Sequence, residues 1–180
     1  MEEDITLDIK EKIEEVSESN WSKYLAITTA IIAVLAAVAS LQSGTFANES
    51  LLAKNDAILS QSKASDQWNY YQAKGIKKNL AEYIYGQTND IKLKQDVDRY
   101  AKEQLNIQKQ AEDLQKQVEQ DNVKSEKLFE KHHKTAFAVT LFQIAITLSA
   151  ITALLKRKSL WYLSILLTGA GILFFIYGLK

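Results

Sequence analysis

The chain predicts an all-α membrane protein: three transmembrane helices, with a long antiparallel helical hairpin, a coiled-coil-like stalk, between the first and the second. Three observations carry that reading. Apolar and charged residues are segregated along the 180 positions, although the formal net charge is zero. Three runs of about 20 residues lack charge, the length needed to cross roughly 30 Å of hydrocarbon. Proline, the strongest helix breaker, is absent.

Residues 1–20 form an acidic N-terminal segment. Glu2, Glu3, Asp4, Asp8, Glu11, Glu14, Glu15 and Glu18 outnumber Lys10 and Lys12. A cleaved signal peptide carries a short positive flank, so this flank points to an uncleaved anchor. Ile9, Ile13 and Val16 share one face of a short surface helix starting near Asp4.

The first membrane segment is placed at 21–43, the second at 135–155 and the third at 160–179. Trp21 and Tyr24 open the first, and Trp161, Tyr162 and Tyr177 bracket the third. Aromatic rings with a polar edge favour the membrane–water interface, which makes these residues anchors. The basic loop 156–159 is too short for anything but a tight helical hairpin. Small residues Ala26, Ala30, Ala33 and Ala37 in the first segment, and Ala145, Ser149 and Ala153 in the second, offer stripes for close helix packing. Gln143 is the most polar residue within the segment cores, and between Leu25 and Leu41, Ala136 and Leu155, and Leu160 and Leu179 there is no Asp, Glu, Lys, Arg or His, the usual mark of a pump or coupled transporter.

Residues 44–134 are a different material, rich in Lys, Gln, Asp, Glu and Asn with apolar residues at helical spacing. Turn-forming residues cluster near 86–91, between two arms of roughly 40 residues, each about 60 Å long if fully helical. In the second arm, alternate steps of four and three from Leu93 reach Val97, Tyr100, Gln104, Ile107, Ala111, Leu114, Val118, Asp121, Ser125, Leu128 and His132. Eight of these twelve are apolar, an a/d seam with polar defects. The first arm has two stripes. One is Leu52, Leu59, Ala73, Ile76, Leu80 and Tyr83; the other is Ala57, Ala64, Trp68, Tyr71 and Gly75. Two stripes imply packing on more than one side, including against another subunit. No helix breaker separates the arms from the flanking apolar segments, and Gly44 is the place for a kink.

The run DQWNYYQAKGIKKNL from Asp66 to Leu80 is the most distinctive in the chain. With the Ala- and Thr-rich first segment ending in Ser40-Leu41, and the closing helical pair around a basic loop, it resembles an uncharacterised bacterial membrane family, domain of unknown function 4337. The resemblance implies a membrane protein and no particular chemistry. Within that run, Trp68, Tyr70, Tyr71, Gln72 and Lys74 form a candidate partner surface, because aromatic residues concentrate at interface hot spots. The competing reading is packing within the stalk, where Gly75 beside the tryptophan lets a neighbouring helix come close.

Lys156, Arg157 and Lys158 are candidate contacts for lipid headgroups, and by the positive-inside rule they place their loop and the N-terminus in the cytoplasm. The stalk then lies outside, periplasmic or extracellular, for a multi-pass protein of the bacterial inner membrane. The adjacent His132 and His133 point about 100° apart on a helix, a poor start for a metal site without further ligands. Phosphate-binding, dinucleotide-binding, zinc-protease and hydrolase motifs are missing. Residues 46–134 hold fifteen Lys/Arg against fourteen Asp/Glu, a balance that argues against nucleic acid. The expectation is therefore a non-enzymatic protein without cofactor or metal. Its partners would be the lipid bilayer and either further copies of itself or another membrane or envelope protein. A scaffold or adaptor fits best, with a membrane sensor and then an oligomeric channel as alternatives.

Overall fold

A computed structural model describes the backbone from Glu2 and the side chains from Asn20 to Lys180. It contains three helices, α1 (Glu2–Thr88), α2 (Ile91–Leu155) and α3 (Lys158–Leu179). The side chains of Ile9, Ile13 and Val16, assigned above to a surface face, lie outside the described residues. α1 remains helical through Gly44, whose neighbourhood is open, and through Gly86.

The break between α1 and α2 consumes only Asn89 and Asp90. Asn89 adopts φ 55°, the left-handed conformation that Asn tolerates at a helix C-terminus, and its N–H donates to the Tyr85 carbonyl at 2.8 Å. Asp90 then caps α2, its carboxylate accepting the Lys92 N–H at 2.9 Å. α3 follows a second left-handed residue, Lys156 at φ 51°, whose N–H closes on Thr152.

The chain divides into two compact units, one of Met1–Ala47 with Phe129–Lys180 and one of Asn48–Leu128. The first has a core of Ile32, Ala39, Ala138, Phe142 and Ala145, with Leu35, Ile146, Leu167 and Phe175 packed around it. α3 meets α2 at small residues seven positions apart. Ser149 Oγ donates to Ser164 Oγ at 3.2 Å, a Cβ on Gly171 would lie 2.7 Å from the Phe142 ring, and one on Gly178 would lie 2.8 Å from Thr135 Cγ2. Trp161 ties α3 to α1 by donating its indole N–H to Thr28 Oγ1 at 3.1 Å. The Thr hydroxyls of this unit return to carbonyls one turn back, as Thr29 does to Leu25 and Thr152 to Leu148, both at 2.7 Å. These Thr hydroxyls so find their acceptors on their own helix.

The core of this unit is thin. Of the most apolar 18-residue window in each helix, 17%, 28% and 11% is buried for α1, α2 and α3 respectively. Val34, Phe137, Leu154, Leu166 and Leu173 are all more than 60% exposed. The stripe Ala26, Ala30, Ala33 and Ala37 is exposed as well, and Leu25, Ile32 and Ala39 face inward in its place. Ala145 and Ser149 are buried in α2, whereas Ala153 is exposed.

In the unit Asn48–Leu128, contacts join α1 to α2 at successive places. Ser50 meets Ser125, Lys54 meets Asn122 at 2.8 Å, the Tyr71 carbonyl meets Gln104, and Lys74 meets Glu103. The eleven seam positions from Leu93 to Leu128 are all buried or half-buried, as is His132 in the other unit. The two stripes of the first arm are placed differently. The stripe of large residues, Leu52, Leu59, Ala73, Ile76, Leu80 and Tyr83, is exposed throughout. The residues set against α2 are small: Ser50, Ala53, Ala57, Ser60 and Ala64, followed by the half-buried Trp68, Tyr71 and Gly75. Small side chains let two backbones approach closely, and the buried hydroxyls are satisfied reciprocally. Ser50 Oγ donates to the Ser125 carbonyl at 2.9 Å, and Ser125 Oγ donates to the Ser50 carbonyl at 3.0 Å.

Candidate functional site

The Trp68–Lys74 segment of α1 splits between two directions. Trp68, Tyr71 and Lys74 are half-buried toward α2, while Tyr70 and Gln72 are exposed. Trp68 and Tyr71 stack edge to face with centroids 5.6 Å apart, an arrangement that aromatic quadrupoles favour. The Trp68 indole nitrogen is buried and finds no acceptor among the described residues. Gln104 donates to the Tyr71 carbonyl at 3.3 Å, and its amide nitrogen would lie 2.8 Å from a Cβ on Gly75. Gly75 thus leaves room for the Gln104 side chain, and the neighbouring helix it admits is α2.

Charge gathers at the same level. Lys74 Nζ lies 2.5 Å from Glu103 Oε2 and sits 5.2 Å and 5.3 Å from the ring centres of Tyr70 and Tyr100. Arg99 bonds Asp96 at 2.8 Å and lies over the Tyr100 ring. The hydrogen bond to Glu103 holds Lys74 above its ordinary range, and the same bond holds the Glu103 carboxyl below the usual carboxylate range. Tyr100 and Glu103 come from α2, and the run Asp66–Leu80 alone does not reveal them. A charged residue one turn from an a/d position in the second arm was the available signal.

In the other unit, α1 and α2 enclose a groove of about 480 Å³. Ala26, Ala30 and Ala33 from α1 and Ala150 and Ala153 from α2 line it, with Trp21 and Lys156 at its borders. Lys156, Arg157 and Lys158 are all exposed in and beside the break between α2 and α3. The anchor aromatics are placed differently from one another. Tyr24, Tyr162 and Tyr177 are over 60% exposed, whereas Trp21 and Trp161 are half-buried. Lys134 stands 4.7 Å from the centre of the Tyr177 ring, and Lys131 donates to the Leu179 carbonyl at the C-terminus of α3, where a cation is favourable.

His132 and His133 diverge. His132 Nδ1 lies 2.9 Å from the Ser43 carbonyl oxygen and 3.0 Å from Ser43 Oγ. His133 is exposed and packs its ring edge to face on Phe129. Among the described residues, no group of three or more His, Cys, Asp or Glu is arranged to hold a metal ion.

The fold defines an all-helical chain whose three helices are each long and apolar enough to cross a membrane. Residues 21–180 match the family described as domain of unknown function (DUF4337), and the chain belongs to it. No curated protein and no solved structure matches.

Proposed function

We propose that this protein is a multi-pass membrane protein in which α3 and the apolar parts of α1 and α2 span the bilayer, and residues 44–134 form an antiparallel helical hairpin that acts as a membrane-anchored scaffold or adaptor. The observation that carries the proposal is the distribution of exposed apolar surface. Large aliphatic and aromatic side chains surround all three helices of the unit containing α3, with little of each apolar window buried. Such a surface in water would cost about 25 cal/mol for each Å² left wet, whereas lipid covers it without cost. The internal satisfaction of the Thr hydroxyls supports the same reading, because hydrocarbon offers them no partner.

The hairpin is supported by the order of contacts: as α1 runs from Ser50 to Lys74, its partners on α2 run back from Ser125 to Glu103. The partner surface centres on Tyr70 and Gln72, the exposed members of the aromatic run, with Trp68, Tyr71 and Lys74 stiffening it from behind. Lys156, Arg157 and Lys158 sit at the cytoplasmic face against anionic headgroups, which leaves the hairpin outside a bacterial inner membrane. The proposal assigns the chain no catalytic reaction.

Cross-linking in native membranes from photoreactive groups at Tyr70 and Gln72 tests the adaptor reading. A distinct protein captured at both positions is the expected result, and capture of nothing but lipid would refute it. Because the chain has no cysteine, Thr88→Cys reports sidedness with an impermeant thiol reagent; labelling in intact cells is expected, and labelling only after lysis would reverse the topology.

A further inference from the structure

The face of α1 opposite α2 has no cover within the unit Asn48–Leu128. It reads Leu52, Asn55, Leu59, Ser62, Asp66, Asn69, Ala73, Ile76, Leu80 and Tyr83 in alternate steps of three and four, and every one of these residues is exposed. Leu52, Leu59, Ile76, Leu80 and Tyr83 are each between 54% and 69% exposed, with Leu51 and Ile58 at their edge. This segment lies outside the apolar windows, so lipid does not cover it under the topology proposed above.

We infer that a second copy of this chain seats on this face, parallel and in register, so that each residue of the stripe meets its own counterpart across a two-fold axis. The inference rests on the membrane-anchored reading, since copies sharing one bilayer present the hairpin the same way up. Three features favour this occupant. Side chains of this size bring roughly 60–120 Å² each, which over seven of them approaches the ~800 Å² per partner of a specific interface. The stripe carries a single charge, Asp66, so a strongly charged partner finds nothing to match. Asn55 and Asn69 suit a like partner, because a carboxamide both donates and accepts and can pair with its own copy. Buried Asn pairs of this kind fix the register of parallel two-stranded assemblies. An antiparallel copy overlapping the whole stripe would set Asn55 against Leu80 and leave the amide unpaired. The parallel arrangement has one opposing layer, Asp66 facing Asp66.

The test uses Leu59→Cys, Ile76→Cys and, as a collision control, the exposed α2 position Lys109→Cys, each oxidised in alkali-washed membranes. Disulfide-linked dimers at 59 and 76, with the control remaining monomeric, are expected. Asp66→Asn is expected to shift more of the Leu59→Cys chain into dimer by removing the like-charge layer. Membrane-retained chain that stays monomeric at both positions overturns this inference and leaves the anchored scaffold standing. Mixed dimers between Leu59→Cys and Ile76→Cys chains, without like-with-like dimers, overturn the parallel register. Loss of the chain from the washed membranes overturns the anchored reading and the shared-bilayer argument with it.

Discussion

Glycine-to-alanine substitution separates packing from helix propensity in this chain, because the glycines sit in helices with very different neighbours. At Gly44 and Gly169 a Cβ meets nothing within 4 Å. There the change contributes the propensity gain alone, about 0.5–1 kcal/mol of added stability. At Gly171 the same Cβ would lie 2.7 Å and 2.9 Å from two ring carbons of Phe142, which is 1% exposed and held in the core. Overpacking of this kind costs about 1–3 kcal/mol. Two contacts on one immobile ring place Gly171→Ala at the upper end, for a net loss of about 1–2 kcal/mol after the propensity gain. Gly178→Ala is expected to lose stability similarly, since its Cβ would lie 3.1 Å from the Thr135 backbone nitrogen, which cannot turn away. Gly75→Ala is milder, because the obstacle is the movable end of Gln104. Unfolding monitored by far-ultraviolet circular dichroism in mixed micelles ranks the variants. Phe142→Leu, which removes the ring, is expected to recover part of the Gly171→Ala loss. Equal effects at Gly44 and Gly171, or no recovery with Phe142→Leu, would refute the reasoning.

Asp90 supplies the side-chain cap of α2, so Asp90→Ala is expected to cost about 1 kcal/mol in the same assay, with Asp90→Ser keeping most of that stability. The reciprocal hydroxyl pair at Ser50 and Ser125 predicts strong coupling: each single alanine variant leaves a buried partner hydroxyl with fewer acceptors and donors, and the double variant loses less than the sum of the two. The Lys74–Glu103 pair predicts a defined pH response. Glu103 is held below its ordinary range, so its contribution is present above the unfolded-state value and fades as pH falls through the lower folded value. Lys74 is held above its range, so its contribution persists below the ordinary lysine value and fades as pH rises through the higher folded one. The difference in melting temperature between the native chain and Glu103→Gln should therefore be level through neutral pH and close at both extremes.

Much of the helical layout is legible in the residues, since charge-free runs and the absence of proline leave few alternatives to long helices. The seam of α2 was readable because its apolar residues recur at a/d spacing. The matching side of α1 is legible only in part, through the stripe Ala57, Ala64, Trp68, Tyr71 and Gly75, for a physical reason. A hydrophobicity pattern ranks Leu52, Leu59, Ile76 and Leu80 above Ser50, Ala53, Ser60 and Ala64, yet the close approach of two helices selects for small side chains. Burial of Ser50 then depends on a hydroxyl partner that only the folded pair provides. Within Trp68–Lys74, the aromatic character was evident in advance, whereas the division into half-buried and exposed members depends on where α2 lies. Gly75 beside the tryptophan points to close approach, but its obstacle, Gln104, is 29 positions distant in the chain. Within the turn-forming cluster near 86–91, α1 stays helical through Gly86 and gives way at Asn89, whose side chain tolerates the left-handed backbone that ends α1.

The proposed topology requires lipid to cover the exposed apolar surface of α1, α2 and α3. Single cysteines at Val34, Ile144 and Leu173, all exposed, carry a nitroxide label into the protein reconstituted in liposomes. Collision with dissolved oxygen, which partitions into hydrocarbon, is compared with collision by a water-soluble nickel complex. All three labels are expected to relax strongly with oxygen and weakly with nickel. The reverse ranking at these positions would contradict the bilayer as the environment of this surface.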